Sequence, residues 1–145
     1  MEFISNGQND TLTLAKMFGR TLKGGEVILA YGELGAGKTA FCKGLALGLG
    51  IRQIVNSPTF NMMKVYPNPK GLNLYHIDAY RLESKDAVSD IGFDEAIGNP
   101  DGVAFVEWPD FIKDYWKDEK KLYVLRIEVL GLKKRKYILE ERKEA

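Results

Sequence analysis

Gly32-Glu33-Leu34-Gly35-Ala36-Gly37-Lys38-Thr39 fits the pattern of a glycine, four residues of any kind, a glycine, a lysine and then serine or threonine. That pattern spells a phosphate-binding P-loop. Its glycines let the backbone turn back on itself so that successive N–H groups point inward at phosphate oxygens, where a larger side chain would intrude. Lys38 adds a point charge for the β- and γ-phosphates, and Thr39 carries a hydroxyl able to ligate Mg²⁺. The helix opened here turns a partly positive N-terminus toward the anion. Context supplies the required order of strand, loop and helix. Glu26 to Tyr31 is a short apolar run of strand character, and Ala40 to Leu49 reads as a helix. A nucleoside triphosphate is the expected occupant.

Length and composition bound the surroundings of that loop. At 145 residues the chain is expected to form one domain, residues 1–145, with room for a substantial core. Met1 to Asn6 shows no basic start or apolar core of a signal peptide, and no apolar run is long enough to span a membrane. Cys42 is the only cysteine, so no internal disulfide forms, which fits a reducing cytoplasm. We therefore expect a soluble cytoplasmic protein with no membrane partner. With 21 Lys and Arg against 20 Asp and Glu the net charge is +1, which excludes a polybasic nucleic-acid binder by balance alone. The local cluster Lys133-Lys134-Arg135-Lys136 falls at a turn between the strand-like runs Leu122 to Leu130 and Tyr137 to Leu139. It fits either a solvated hairpin tip or a contact with nucleotide phosphates or RNA.

Upstream of the loop, Asn9 or Asp10 is expected to cap an amphipathic helix through Leu14, Ala15, Phe18 and Leu22 that Gly24-Gly25 ends. Downstream, alternation at Met62, Lys64 and Tyr66 suggests a strand, Pro67 to Gly71 a turn, and Leu72 to Ile77 a returning strand. This pair is expected as an antiparallel hairpin beside the P-loop strand. Asp86 to Ile97 has weaker helical signals. Val103 to Val106 is wholly apolar, as expected of a strand buried on both faces.

Glu107 closes that apolar run, where an acidic residue can hold Mg²⁺ or its water because the strand ends converge on the phosphates. In His76-Ile77-Asp78-Ala79-Tyr80-Arg81-Leu82, strand alternation places His76, Asp78 and Tyr80 on one side. Asp78 can order an attacking water or a metal-bound water, or cap the next turn. Arg81 can touch phosphate. His76, the only histidine, reads as a packed or exposed side chain, and with one cysteine beside it no zinc site can be built.

Taken together, the P-loop, Ser57-Pro58-Thr59-Phe60, the His76 to Leu82 block, Ile91-Gly92-Phe93-Asp94-Glu95 and Val106-Glu107-Trp108-Pro109 resemble, in order and spacing, the bacterial TsaE (YjeE) family. The resemblance spans roughly Gly32 to Pro109. It implies an ATPase that assists threonylcarbamoyladenosine modification of adenosine 37 in tRNA, acting with TsaB and TsaD and meeting tRNA indirectly, through that complex. Carried over by position, it puts Gly35, Ala36, Gly37, Lys38, Thr39 and Ala40 around the phosphates, and Thr39 and Glu107 about Mg²⁺. It makes Asp78 and Thr59 polar partners of the γ-phosphate or its water, with Glu107 completing the catalytic set and Trp108 a functional aromatic beside it. The base is implied between the segment near Gln8 and the Lys133 to Arg135 turn, Lys134 included. Two departures stand out: Ala40 lacks the hydroxyl many members carry there, and Asn61-Met62-Met63-Lys64 differs from the usual Thr-Leu-Val-Glu.

The expected fold is a three-layer α/β P-loop domain with a mixed parallel and antiparallel sheet. Without an obvious arginine finger beyond Arg81, hydrolysis is expected to be slow alone and stimulated by the partner complex. Two other functions share the P-loop. An ATP-dependent regulatory docking switch would use the nucleotide to change shape, and a small-molecule kinase would need an arginine-bearing lid that the singly scattered arginines do not suggest. No guanine-recognition motif of Asn/Thr-Lys-any-Asp occurs, which disfavours a GTPase.

Overall fold

The structure is a computed structural model describing residues 1–33, 35–56, 63–79, 93–109 and 121–142. Its strands are β1 (Glu2–Ser5), β2 (Val27–Tyr31), β3 (Met63–Tyr66), β4 (Asn73–Asp78), β5 (Gly102–Glu107), β6 (Leu122–Val129) and β7 (Arg135–Arg142). They form one 7-stranded sheet in the order β1-β7-β6-β2-β5-β4-β3. The inner strands β6, β2, β5 and β4 run parallel, and β3, β7 and β1 add on antiparallel. Apolar runs without alternation take the centre because both faces are covered there. Every residue of β5 is buried, and so are the first four of β2.

The helices are α1 (Gln8–Gly19), α2 (Lys38–Leu49) and α3 (Phe93–Ala96). α1 and α2 cover one face, where Ala15, Phe41, Cys42 and Leu45 meet Ile28, Phe105 and Leu125. On the other face Ala96 and Ile97 pack with Val27, Leu29, Ile77 and Val106. The result is the expected three-layer α/β arrangement with a mixed sheet.

Four local expectations differ. The β3–β4 pair is an antiparallel hairpin, but β5 lies between it and β2. The fully buried β5 takes the inner position, leaving β3, with exposed Lys64 and Val65, at the edge. Helix α1 starts at Gln8 with Gly7 as its N-cap and no side-chain cap, and it ends at Gly19, ahead of Gly24-Gly25. Asp10 instead accepts a hydrogen bond from the Asn6 N–H at 2.9 Å, closing the entry turn from inside the helix. Strand β7 begins at Arg135, inside the basic cluster, because Val129 pairs with Arg135 and Glu128 with Lys136 across the hairpin. Strand β1, which the sequence did not suggest, pairs with β7. Of the weak helical stretch from Asp86 to Ile97, only α3 and Ile97 fall within the described residues.

Candidate functional site

Strand β2 delivers the chain into the loop, and Gly35 and Gly37 take φ of 80° and 110°. Such values suit glycine, and at Gly37 space forbids anything else: an added Cβ would stand 2.7 Å from the Tyr137 hydroxyl. That hydroxyl accepts from Thr11 at 3.0 Å, and Thr11 in turn contacts Ser5 at 2.8 Å. A buried polar chain from β1, α1 and β7 thus backs the loop. Gly37 is also the N-cap of α2 and offers no side-chain cap of its own, and the first N–H groups of a helix, which lack intrahelical partners, form a ready anion site.

Lys38 is buried, with Nζ donating to the Gly32 carbonyl at 2.7 Å and lying 3.5 Å from the centroid of the Trp108 ring. Trp108 holds a left-handed backbone, φ 59°, which is rare for a bulky residue and costs energy of order 1–3 kcal/mol. Strain of that kind has to be imposed by the surroundings, and here it puts the indole on the P-loop lysine.

Strand register assembles the acids. Ala30 pairs with Glu107 and Glu107 with Asp78, so both acidic residues stand at the carboxyl ends of parallel strands, beside the start of the P-loop. The Ala79 N–H donates to the Glu107 carbonyl at 2.9 Å, tying these ends together. His76 and Glu107 face α2, and His76 Nε2 contacts Glu107 Oε2 at 2.5 Å, both side chains buried. His76 Nδ1 has no hydrogen-bond partner among the described residues. Burial alone would push the His76 pKa down, but Cys42 and the Glu107 carboxylate outweigh it and raise it to about 10.

A cavity of about 880 Å³ opens between the start of α1, the P-loop and the β6–β7 turn. Gln8, Gly35, Gly37 and Ala40 line it, as do Lys133 and Arg135. Lys134 lies outside that lining. Arg135 belongs to the basic turn, and its Nε donates to the Ala36 carbonyl at 3.0 Å and its Nη1 to the Gly131 and Lys134 carbonyls at 2.8 and 3.0 Å. A single guanidinium thus staples the P-loop to the hairpin turn.

The structure brings together Gly35, Ala36, Gly37, Lys38, Thr39 and Ala40 at one end of the sheet with Asp78, Glu107 and Trp108, and places Gln8 across the adjoining cavity. Thr59, Tyr80 and Arg81 lie outside the described residues. Sequence reasoning missed the His76–Glu107 pair and the Arg135 staple. The first had a weak signal in the strand alternation that puts His76 and Asp78 on one side.

These donors suit a magnesium nucleotide. The positive-φ glycine cradle leaves no room for a Cβ at Gly37, the Thr39 hydroxyl and Glu107 carboxylate are hard oxygen donors, and Lys38 supplies a cation. Among the described residues no three His, Cys, Asp or Glu side chains gather as a metal cage. Thr39 and Glu107 would supply two protein oxygens, and Mg²⁺ is usually held by one or two of these together with substrate phosphates and water.

Residues 5–137 match the family model described as threonylcarbamoyl adenosine biosynthesis protein TsaE. Proteins called tRNA threonylcarbamoyladenosine biosynthesis protein TsaE are similar in Bacillus subtilis (44% identical, 81% of this chain and 72% of that protein) and Aquifex aeolicus (40% identical, 93% and 92%). The crystal structure of Bacillus subtilis YdiB superimposes with a TM-score of 0.77 at 34% identity, covering 94% of this chain and 82% of that one. Among the described residues no helix is long and apolar enough to cross a membrane.

Proposed function

The chain belongs to the TsaE family, and from that premise we propose that it is a Mg²⁺-dependent ATP-binding and ATP-hydrolysing protein of tRNA threonylcarbamoyladenosine biosynthesis. It works in the cytoplasm with TsaB and TsaD and meets tRNA through their complex. One observation carries the catalytic part: the P-loop, Asp78 and Glu107 converge at the carboxyl ends of β2, β4 and β5. In parallel α/β sheets that edge is where ligands bind.

In this reading the loop from Gly35 to Ala40 binds phosphate oxygens through backbone N–H groups, and Ala40 contributes its N–H in place of a hydroxyl. Lys38 neutralises charge on the β- and γ-phosphates. Thr39 and Glu107 would hold Mg²⁺, which when bound would neutralise phosphate charge. Asp78 and Thr59 orient the water that attacks the γ-phosphate. Gln8 and the Lys133 to Arg135 turn, Lys134 included, flank the base. Arg135, which reaches the P-loop, is engaged with loop carbonyls, so Arg81 is the arginine the sequence offers as a finger. In this reading turnover is slow alone and rises when the partners complete the site.

The deciding experiment is phosphate release from ATP and Mg²⁺ by the protein alone, then with TsaB, TsaD and tRNA, with Lys38→Ala as the blank. Stimulated release that depends on Lys38 is expected. Equal rates with and without the partners would overturn the stimulation. A docking switch is the second reading, favoured by Lys38 lying under Trp108, because a phosphate reaching Lys38 would compete with that contact and so can move Trp108. Glu107→Ala separates the two. Loss of complex activity with docking kept supports the ATPase, whereas an unaffected complex supports the switch.

A further inference from the structure

We propose that His76 is a positioning residue for Glu107, fixing the carboxylate so that it presents to Mg²⁺ the oxygen not taken by the imidazole. This rests on the reading of Glu107 as a Mg²⁺-holding residue. A glutamate at the end of a strand has three side-chain torsions to fix, and a rotating carboxylate is a poor ligand for an ion that demands near-octahedral geometry. His76 removes that freedom from below. Its Nε2 meets Glu107 Oε2 at 2.5 Å, leaving Oε1 as the oxygen outside this contact.

The ring that makes the contact is itself immobilised. His76 is fully buried in β4, and its ring stands edge-on to Phe105, with centroids 5.8 Å apart at 72°. Phe105 in turn stacks on Phe41 of α2 at 6.0 Å. The P-loop helix, β5 and β4 therefore hold one imidazole in one orientation, and that imidazole holds the carboxylate. Core packing alone would be served by an apolar ring, with no buried nitrogen to satisfy. A histidine whose Nε2 is directed at the acid of the site is the arrangement by which supporting groups orient metal-binding carboxylates.

The test is the gain in ATP affinity on adding Mg²⁺, measured calorimetrically as the ratio of affinities in Mg²⁺ and in EDTA. His76→Gln places an amide N–H near the position of Nε2, whereas His76→Asn stops short of Glu107. We expect His76→Asn to lose about tenfold or more of the Mg²⁺ gain with its affinity in EDTA unchanged, and His76→Gln to keep the gain. If His76→Asn keeps the gain, or His76→Gln loses as much as His76→Asn, the proposal is overturned. Glu107→Ala runs alongside. If it leaves the gain intact, the metal role of Glu107 falls and the positioning role with it; if it abolishes the gain while His76→Asn preserves it, only the positioning role falls. A readout without variants uses the single histidine of the chain. The imidazole ¹⁵N signals of the wild-type ATP complex should move on adding Mg²⁺, and unmoved signals count against the proposal.

Discussion

Trp108 is the residue whose backbone is most clearly bent to a purpose, with its left-handed φ of 59° and its ring over Lys38. Cation–π contacts of this kind are worth about 0.5–2 kcal/mol, far less than a lysine gains from a triphosphate in a preformed cradle. ATP binding should therefore strip Lys38 from the indole. In a Trp116→Phe background, which leaves Trp108 as the sole indole, ATP should change the emission, and Lys38→Ala should abolish the change; an ATP titration that leaves emission flat, with binding verified by calorimetry, would show that Lys38 stays on the ring. His76 gives a second prediction at this scale. Its pKa is raised from 6.5 to about 10 in the folded chain, so the stabilisation from its protonated form is complete below about 6.5 and is lost as pH climbs through about 10. Urea unfolding of the metal-free protein should show stability declining across that window, and His76→Gln should flatten the decline. The P-loop was legible at this scale because its chemistry is local in sequence. The His76–Glu107 pair was not, since 31 residues separate its members and only the parallel register of β4 on β5 makes them neighbours.

Between elements, the tightest contact among the helices is that of α1 on α2, made by glycines whose backbones nearly touch. A Cβ at Gly44 would stand 2.7 Å from the Leu12 carbonyl oxygen and from the Ala15 Cβ, and one at Gly48 would stand 2.3 Å from the Lys16 carbonyl oxygen. Alanine would raise the helix propensity of α2 by about 1 kcal/mol. Forcing two helix backbones apart costs about 1–3 kcal/mol, and the obstructing atoms are mostly main chain that cannot swing away. The clash should win, most clearly at Gly48. Gly48→Ala is expected to lower unfolding free energy by up to about 2 kcal/mol, seen as a lower urea midpoint with unchanged slope; greater stability would mean the helices separate freely. The helices themselves were readable from periodicity, but their end positions and this contact were not. Gly7 rather than Asn9 or Asp10 caps α1, and nothing local in Gly44 or Gly48 tells a packing glycine from a helix-weakening one. The four-residue β1 escaped notice because a short edge strand carries too few residues to show a period, and its existence depends on β7 being there to pair with it.

Across the whole molecule, a parallel core of β6, β2, β5 and β4 gathers the loop and the acids at one end, while the antiparallel β7 brings Arg135 and Tyr137 to the same loop from the far side. The α/β class was legible because two unbroken apolar runs, at β2 and β5, mark buried parallel strands. The order of strands was not, because which run sits beside β2 is decided by burial in the finished sheet, and the hairpin of β3 and β4 lost that place to β5. A ligand gripped by segments this distant in sequence should be linked to global stability, since unfolding has to dismantle every part of the site together. With ATP and Mg²⁺ at about 100 times the dissociation constant, stabilisation should reach about 2.7 kcal/mol, on the order of 5–10 °C in melting temperature. Lys38→Ala should show almost none of that rise. Arg135→Ala should lower the ligand-free melting point and narrow the rise, because the loop then has to be ordered at the expense of binding energy instead of being held in advance by the guanidinium on Ala36. Thermal melts of the three proteins, with and without the nucleotide, check both halves. An Arg135→Ala protein that melts like wild type and gains as much from ATP would mean that the hairpin turn and the P-loop are energetically independent, and that the loop owes its shape to Gly35, Gly37 and the Tyr137 hydroxyl behind them.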